Sequence, residues 1–280
     1  MWFLYWITAA LAADRTTQVE SLFRNAENWD PAAFTQAMGK VRSWGRDAVP
    51  PLIVIAERET GSNTRYSVCA ALAEIPDARS LPTLSALTHA PEWVVRSQCG
   101  ESYARLAAVL PEADLSPVVL LLGRDPECIV RVNVARAIGP RSHAGLRTQF
   151  SAWIGSTDVC ESRVGMSGLA FDPAATSGDG PAKILGVLRD TRRSVDERET
   201  AADAFIHIPY PPALPTLREL VSGRLDNRAN LRWMAAEALG GLGTDEDIPL
   251  LRAMIAEDPY NGDGVLAIKG KAAIKKIQAR

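Results

Sequence analysis

The acidic side chains of one predicted helix are the first residues whose spacing could support chemistry. Glu197, Glu199 and Asp203 fall on this helix, and His207 stands near its end. Two carboxyl groups can serve as general acid and general base when their surroundings separate their pKa values. No nucleophile stands beside His207, and acidic residues at this spacing are also typical of a solvated helix face. We therefore expect an acidic surface here and not a catalytic centre.

The sequence also gives no support for a metal-binding or phosphate-binding site. The four cysteines and three histidines form no Cys-x-x-Cys or His-x-x-x-His spacing, so no zinc site is expected. The loop from Asp258 to Gly264 is acidic, but its spacing misses the EF-hand pattern for calcium. No Walker A, Gly-x-Ser-x-Gly or dinucleotide-binding motif is present. The sequence therefore predicts no catalytic residue, no metal and no cofactor.

The cysteines are predicted to be free thiols in the core. Each lies in a predicted helix near small or apolar residues, at Cys69, Cys99, Cys128 and Cys160. Stacked helices lie about 8–10 Å apart, whereas a disulfide needs Cα atoms within about 7 Å of each other. We therefore expect no disulfide.

A column of basic residues is the most regular chemical pattern in the chain. It has one member in each of seven predicted helices: Arg65, Arg96, Arg131, Arg163, Arg198, Arg232 and Lys269. A small side chain follows four residues later every time, at Cys69, Gly100, Ala135, Ser167, Ala202, Ala236 and Ala273. Because four residues make about one helical turn, both positions share a face. The small side chain then allows a neighbouring helix to approach closely.

The helices that carry this column are the second members of predicted helical pairs. A proline opens the first helix of six pairs, at Pro51, Pro82, Pro117, Pro181, Pro215 and Pro249. The column repeats at intervals from 31 residues, between Arg65 and Arg96, to 37 residues, between Arg232 and Lys269. A period of this length with two helices per unit predicts a solenoid, since one pair alone cannot bury its apolar face.

Two segments carry a family resemblance. Residues 125–139 read Asp-Pro-Glu-Cys-Ile-Val-Arg-Val-Asn-Val-Ala-Arg-Ala-Ile-Gly, and residues 231–240 read Leu-Arg-Trp-Met-Ala-Ala-Glu-Ala-Leu-Gly. Both resemble HEAT repeats, most closely the bacterial type that is also found in phycobilisome lyases. The resemblance covers roughly residues 48–280. It implies an all-α fold, an α-solenoid whose helical hairpins form a right-handed superhelix with a broad binding surface, and it implies no particular reaction.

The resemblance also implies a ladder of ion pairs. In the resembling family an acid in the turn between two helices pairs with the basic column and links successive units. Here an acid stands six residues before the basic residue in four units: Glu59 before Arg65, Asp125 before Arg131, Asp226 before Arg232, and Asp263 before Lys269. Such charged hydrogen bonds would satisfy turn amides and hold the register of the array.

The remaining members of the column are candidates for contact with a partner. Arg96, Arg163 and Arg198 lack an acid at the ladder position. Trp93 and Trp233 stand beside the column, and either a partner contact or a core position would explain them. Trp153 is expected in the core. Tryptophan and arginine dominate binding hot spots, so we predict partner binding by Trp93, Arg96, Arg163, Arg198 and Trp233.

The chain divides into three parts. Residues 1–13 are either a signal peptide or an N-terminal helix, residues 14–47 form a helical cap, and residues 48–280 form seven HEAT-like repeats in one array. The first stretch has the length and small-residue ending of a signal peptide, but no lysine or arginine precedes it. It is too short to span a membrane. A cytoplasmic location is favoured, and export stays open as the alternative.

The overall charge limits the class of partner. Formal net charge is -2, from 31 basic and 33 acidic residues, whereas a dedicated nucleic-acid binder carries a clear basic excess. We predict a monomeric, non-enzymatic scaffold or adaptor that binds a protein partner on its curved surface. The alternative is an enzyme of the phycobilisome-lyase-like or helical-repeat DNA glycosylase type. A glycosylase would need a basic groove with an acid beside aromatic residues.

Overall fold

The computed structural model describes residues 15–280, except residues 112, 142, 143, 176, 177 and 261. All regular secondary structure in these residues is helical, which confirms the predicted all-α class. Residues 1–13, predicted to be a signal peptide or an N-terminal helix, lie outside the described residues. None of the helices in the described part of the chain has the length and apolar character that crossing a bilayer requires.

The helices fall into two compact units, Met1–Arg141 and Ser142–Arg280. In unit 1, α1 (residues 15–23) and α2 (Pro31–Trp44) precede three helix pairs: α3 (Val49–Arg58) with α4 (Ser62–Ala73), α5 (Leu81–Leu87) with α6 (Trp93–Val109), and α7 (Ser116–Arg124) with α8 (Cys128–Ile138). Unit 2 contains four pairs: α9 (Ala144–Ile154) with α10 (Val159–Ala170), α11 (Gly180–Arg189) with α12 (Val195–His207), α13 (Leu214–Val221) with α14 (Ala229–Leu242), and α15 (Ile248–Ala256) with α16 (Val265–Gln278).

Proline begins the first helix of most pairs, as the sequence predicts. Six of these helices, all except α9, have proline in the first turn. A proline costs little there because the first amide groups of a helix have no intrahelical acceptor. The pairs therefore start where the sequence pattern places them.

Second helices pack on one another within each unit. In unit 1, α4 contacts α6 and α6 contacts α8; in unit 2, α10 contacts α12, α12 contacts α14, and α14 contacts α16. The small residues that follow the basic column are all buried in these contacts. At Gly100 a Cβ atom would stand 2.5 Å from Leu121 Cδ1 and 2.8 Å from Val134 Cγ2, so any larger residue would force these side chains to shift. This stacking of helix pairs is that of an α-solenoid, which confirms the predicted fold.

A disulfide joins two of the second helices, against the sequence-based expectation. Cys69 on α4 is bonded to Cys99 on α6, with Cα atoms 5.1 Å apart. None of the four cysteines is a free thiol. The expectation fails because 8–10 Å is a distance between helix axes, and each Cα stands about 2.3 Å from its own axis. Cα atoms that face each other across such a contact therefore approach to about 3.5–5.5 Å, which is close enough for a disulfide.

Candidate functional site

Five arginines of the basic column bond carbonyl groups at the C-terminal end of the first helix of their own pair or in the turn that follows it. Such carbonyls have no partner within their helix. The bonds run from Arg65 Nε to Glu59 O (2.6 Å), Arg96 Nη1 to Pro91 O (2.8 Å), Arg131 Nε to Leu122 O (2.7 Å), Arg198 Nε to Leu188 O (3.2 Å) and Arg232 Nε to Val221 O (3.2 Å). Each guanidinium group thereby ties its own helix to the end of the first helix or to the turn between the two helices.

Three of these arginines, and Arg163 as well, also reach an acid of the following pair. The ion pairs are Arg96 with Asp125 (2.8 Å), Arg163 with Asp196 (3.4 Å), Arg198 with Asp226, and Arg232 with Glu257 (2.7 Å). Each acid stands in the turn between two helices or at the start of the second helix. The column therefore links successive pairs within each unit.

Arg96 and Asp125 form the most complete of these links in unit 1. Arg96 donates from Nε to Asp125 Oδ2 at 2.8 Å and from Nη2 to Asp125 Oδ1 at 3.1 Å. The side chains are 14% and 2% exposed, respectively. The hydrogen bond to Asp125 raises the pKa of Arg96 above its usual value. A bidentate, buried ion pair of this kind holds two repeats together.

Arg198 is the corresponding residue in unit 2. Its side chain is 2% exposed and its guanidinium pairs with Asp226. Burial alone would raise the pKa of Asp226, but hydrogen bonds from the Arg228 amide and from Arg198 outweigh it, so this pKa is lowered. Arg96 and Arg198 were predicted to contact a partner because no acid was expected to pair with them, and that reason is removed by these ion pairs. Each has an acid 28 or 29 residues further along the chain, in the next repeat.

The predicted ladder exists, but its partners differ from those expected. Asp125 pairs with Arg96 instead of Arg131, and Asp226 pairs with Arg198 and Arg228 instead of Arg232. Both acids precede the second helix of their own pair and lie on the side that meets the preceding repeat. They also accept turn amides, from Glu127 at 2.9 Å and from Arg228 at 3.0 Å. Each of the two acids therefore bonds an arginine of the preceding repeat.

The two terminal ladder pairs do not form as expected either. Arg65 bonds the backbone oxygen of Glu59, while the Glu59 carboxylate pairs with Arg58 at 3.0 Å. Lys269 pairs with Glu237 of the preceding repeat at 2.7 Å. Asp263 is exposed. A lysine cannot reproduce the fork of donors with which the arginines bond a carbonyl and a carboxylate together.

The remaining partner candidates differ in how much surface they leave free. Trp93, the first residue of α6, is 46% exposed. Trp233 is half-buried, donates to Asn230 Oδ1 at 3.2 Å, and has Lys269 Nζ 5.0 Å from its ring centroid. Arg163 retains 24% exposure beside Asp196. Trp153, expected in the core, is half-buried beside Phe150.

One exposed apolar residue on α8, the helix that packs on α6, was not predicted from the sequence. Ile129 is 39% exposed and is the second residue of α8. Since α6 and α8 pack together and Trp93 also stands in the first turn of its helix, both side chains lie at the same end of neighbouring helices. We call these two residues the Trp93–Ile129 surface.

One of the acidic residues of α12, Glu197, has a structural role. Glu197 is buried, and its carboxylate accepts hydrogen bonds from the backbone and hydroxyl of Ser194 and from Arg193. It completes the N-terminal cap of the helix, so the expected solvated face does not include it. His207 is exposed, and its ring lies 4.2 Å from that of Phe171. Among the described residues, no group of three or more His, Cys, Asp or Glu side chains gathers to hold a metal ion.

Comparison with known proteins agrees with this geometry. The family model for HEAT repeats matches residues 18–104 and 182–263, which is more than half of the chain. No curated protein sequence matches the chain significantly.

Several solved structures are similar to this chain at low sequence identity. YibA of Escherichia coli is 16% identical, with a TM-score of 0.49 over 97% of each chain. The complex of CpcE and CpcF of phycocyanin lyase from Nostoc sp. PCC7120 is 16% identical, with a TM-score of 0.45 over 92% of this chain and 94% of that one. Human deoxyhypusine hydroxylase is 17% identical, with a TM-score of 0.41 over 96% and 98%. On the match to the family model and the stacked helix pairs, the chain belongs to the HEAT-repeat family.

Proposed function

We propose that the protein is a non-enzymatic scaffold that binds a protein partner on the second-helix face of unit 1, with Trp93 as the anchor. The observation that carries this proposal is the exposure of Trp93, which is 46%. Tryptophan is the residue type most enriched in binding hot spots. A side chain of this size contributes binding free energy only if a partner covers it.

The surroundings of Trp93 support the same proposal. Ile129 adds a second exposed apolar side chain at the same end of the neighbouring helix α8. Arg96 and Asp125 hold these two helices in a fixed relation through a bidentate ion pair. A rigid apolar surface loses little conformational entropy on binding, which favours affinity. Trp233 and Arg163 are further candidate contacts, each on unit 2.

The test is a comparative capture experiment from the source cell. Wild-type protein and a Trp93→Ala/Ile129→Ala variant are immobilised, and bound proteins are quantified by mass spectrometry. Loss of one hot-spot tryptophan typically weakens binding at least about tenfold. We therefore expect a partner that the wild type retains and the variant loses.

The chain offers a matched control. Val119 and Leu120 on the first helix α7 are 46% and 45% exposed, so Val119→Ala/Leu120→Ala removes a similar amount of apolar surface elsewhere. This control should retain the partner, and circular dichroism should show the same helix content for all three proteins. Equal capture by both double variants would contradict the proposal.

We also propose that the protein works in an oxidising compartment, the exported alternative raised by the sequence. The Cys69–Cys99 disulfide supports this, because such bonds persist in exported proteins and are rare in the cytosol. Cell fractionation with thiol alkylation before lysis tests it. Protein recovered outside the cytoplasm with no alkylated cysteine is the expected result, and cytoplasmic protein with alkylated Cys69 and Cys99 would contradict it.

A further inference from the structure

A cleft with three aromatic walls lies at the start of unit 1. Its volume is about 440 Å³, and Trp29, Phe34 and Tyr66 line it. This volume is within the range of about 300–1,000 Å³ found for small-molecule sites. Tyr66 is 39% exposed and the other two rings are half-buried. The aromatic faces are therefore accessible and are not fully used as core.

The walls of this cleft are held in place by polar contacts. The Glu27 carboxylate accepts from the Thr64 amide at 2.7 Å, and Asn63 donates to the Glu27 carbonyl at 3.2 Å. These bonds fix the segment before Trp29 against α4, which carries Tyr66. Phe34 is anchored separately, within α2. The three rings therefore come from three places in the chain and meet in a preformed arrangement.

The ring geometry suits a cation. The centroids of Trp29 and Phe34 are 6.3 Å apart at an interplanar angle of 70°, and those of Phe34 and Tyr66 are 6.4 Å apart at 47°. Two perpendicular rings that both face a point about 4.5 Å away have centroids about 6.4 Å apart, and a cation binds a ring within about 6 Å of its centroid. One positive group that lies within about 6 Å of two of these centroids would contact both rings.

The cleft carries a negative charge, which is complementary to a cationic ligand. Asp30 is the single charged residue among the lining residues. Its Oδ1 atom accepts from the Ala33 amide at 2.7 Å, as the N-cap of α2. Within the described part of the chain no basic side chain pairs with it. The carboxylate is exposed and available to a positive ligand.

We propose that this cleft binds an alkylated ammonium group, such as that of a methylated lysine side chain or of choline. Alkylation matters because a plain ammonium group is strongly hydrated and needs three hydrogen-bond acceptors. Methyl groups remove those donors and spread the charge over a surface that packs on ring faces. Nucleic acid does not fit, since the lining has no basic residue to meet phosphate. This site is separate from the Trp93–Ile129 surface and extends the proposed function.

The experiment is calorimetric titration of the intact oxidised protein with defined probes. Choline and a short peptide with one trimethyllysine represent the two sources of the ligand. The same peptide with unmodified lysine tests alkylation, and 3,3-dimethylbutanol, the neutral isostere of choline, tests charge. We expect choline, the trimethyllysine peptide or both to bind, with the neutral isostere and unmodified peptide at least about tenfold weaker. Which of the two ammonium probes binds better identifies the source.

Variants of the cleft then test each wall. Phe34→Leu and Tyr66→Leu should each weaken binding about two- to fivefold, whereas Tyr260→Leu, at an aromatic residue that is 72% exposed elsewhere, should leave it unchanged. Asp30→Asn should weaken binding without loss of melting temperature, since asparagine caps a helix as well as aspartate does. Absence of binding by both ammonium probes would overturn the proposal. So would equal binding of the neutral isostere, or wild-type affinity in the folded Phe34→Leu and Tyr66→Leu variants.

Discussion

Replacement of Arg96 by alanine tests the ladder directly, and the same helix supplies its control. Arg96 and Arg105 both lie on α6, and both pair with a carboxylate. Arg96 reaches Asp125 in the next repeat, whereas Arg105 pairs with Glu101 one turn away at 2.6 Å. The two ion pairs have similar distances and differ in burial. The structure therefore predicts very different effects for the same substitution.

The expected loss of stability for each substitution follows from the burial of its ion pair. Without Arg96, the Asp125 carboxylate, 2% exposed, keeps one hydrogen bond, from the Glu127 amide. Removing one partner of a buried ion pair costs about 3–5 kcal/mol, and the 14% exposure of Arg96 places this case near the lower end, at about 3 kcal/mol. Arg105 is 58% exposed, so Arg105→Ala should cost only about 0.3–0.5 kcal/mol.

Thermal and urea unfolding, followed by circular dichroism, measure both changes. A loss of 3 kcal/mol corresponds to a fall in melting temperature of roughly 6–12 °C, against about 1 °C for Arg105→Ala. The double variant Arg96→Ala/Asp125→Ala should be more stable than Arg96→Ala alone, because it no longer buries an unpaired carboxylate. If Arg96→Ala costs no more than Arg105→Ala, or the second substitution restores nothing, the ladder does not stabilise the array.

Three further changes have definite expected outcomes. The pKa of Asp247 is lowered by hydrogen bonds from Arg218 and the Thr244 amide, which outweigh the effect of burial. Its contribution to stability is therefore complete above the unfolded pKa of about 3.9 and is lost as pH falls through the lower, folded pKa. Asp247→Asn should therefore flatten the fall of melting temperature below about pH 4. The Cys69→Ala/Cys99→Ala variant removes a bond that spans 30 residues and should lose about 3–4 kcal/mol in urea unfolding, while an unchanged urea midpoint would show that the bond does not constrain the unfolded chain. Gly165→Ala should lower the free energy of unfolding by about 2–3 kcal/mol, since its Cβ would overlap the Phe150 carbonyl oxygen and stand 3.0 Å from the Ile154 nitrogen. As a control, Gly186→Ala, whose Cβ meets nothing within 4 Å, should raise it by about 0.5–1 kcal/mol.

The helix pairs could be predicted because their signals are local. Proline in the first turn, apolar residues at helical spacing, and a small residue one turn after a basic one all act within a single helix. Burial of Gly100, Ala135 and Ala236 confirms that the small residues mark the packed face. A repeat fold makes such signals unusually dependable, since each contact recurs with the period.

The partners of the column could not be read from one repeat. Asp125 stands six residues before Arg131, and proximity in sequence suggested a pair, but the arginine that reaches it is Arg96, 29 residues earlier. The acid stands 29 residues after Arg96 and 28 after Arg198, but 33 after Arg163 and 25 after Arg232, so no constant spacing in the sequence identifies all four pairs. The aromatic cleft has no periodic signal either, because its rings come from a loop, α2 and α4.

The ladder has a direction, and this has an evolutionary consequence. In each of the four links between repeats, the earlier repeat provides the guanidinium group and the later repeat provides the carboxylate. If one whole repeat between Arg163 and Asp226 were lost from unit 2, Arg163 would meet Asp226 in place of Asp196, one aspartate in place of another. A break inside a pair would instead separate an arginine from the carbonyl that it bonds. Gene duplication and deletion can therefore lengthen or shorten such an array by complete helix pairs without breaking the ladder of ion pairs.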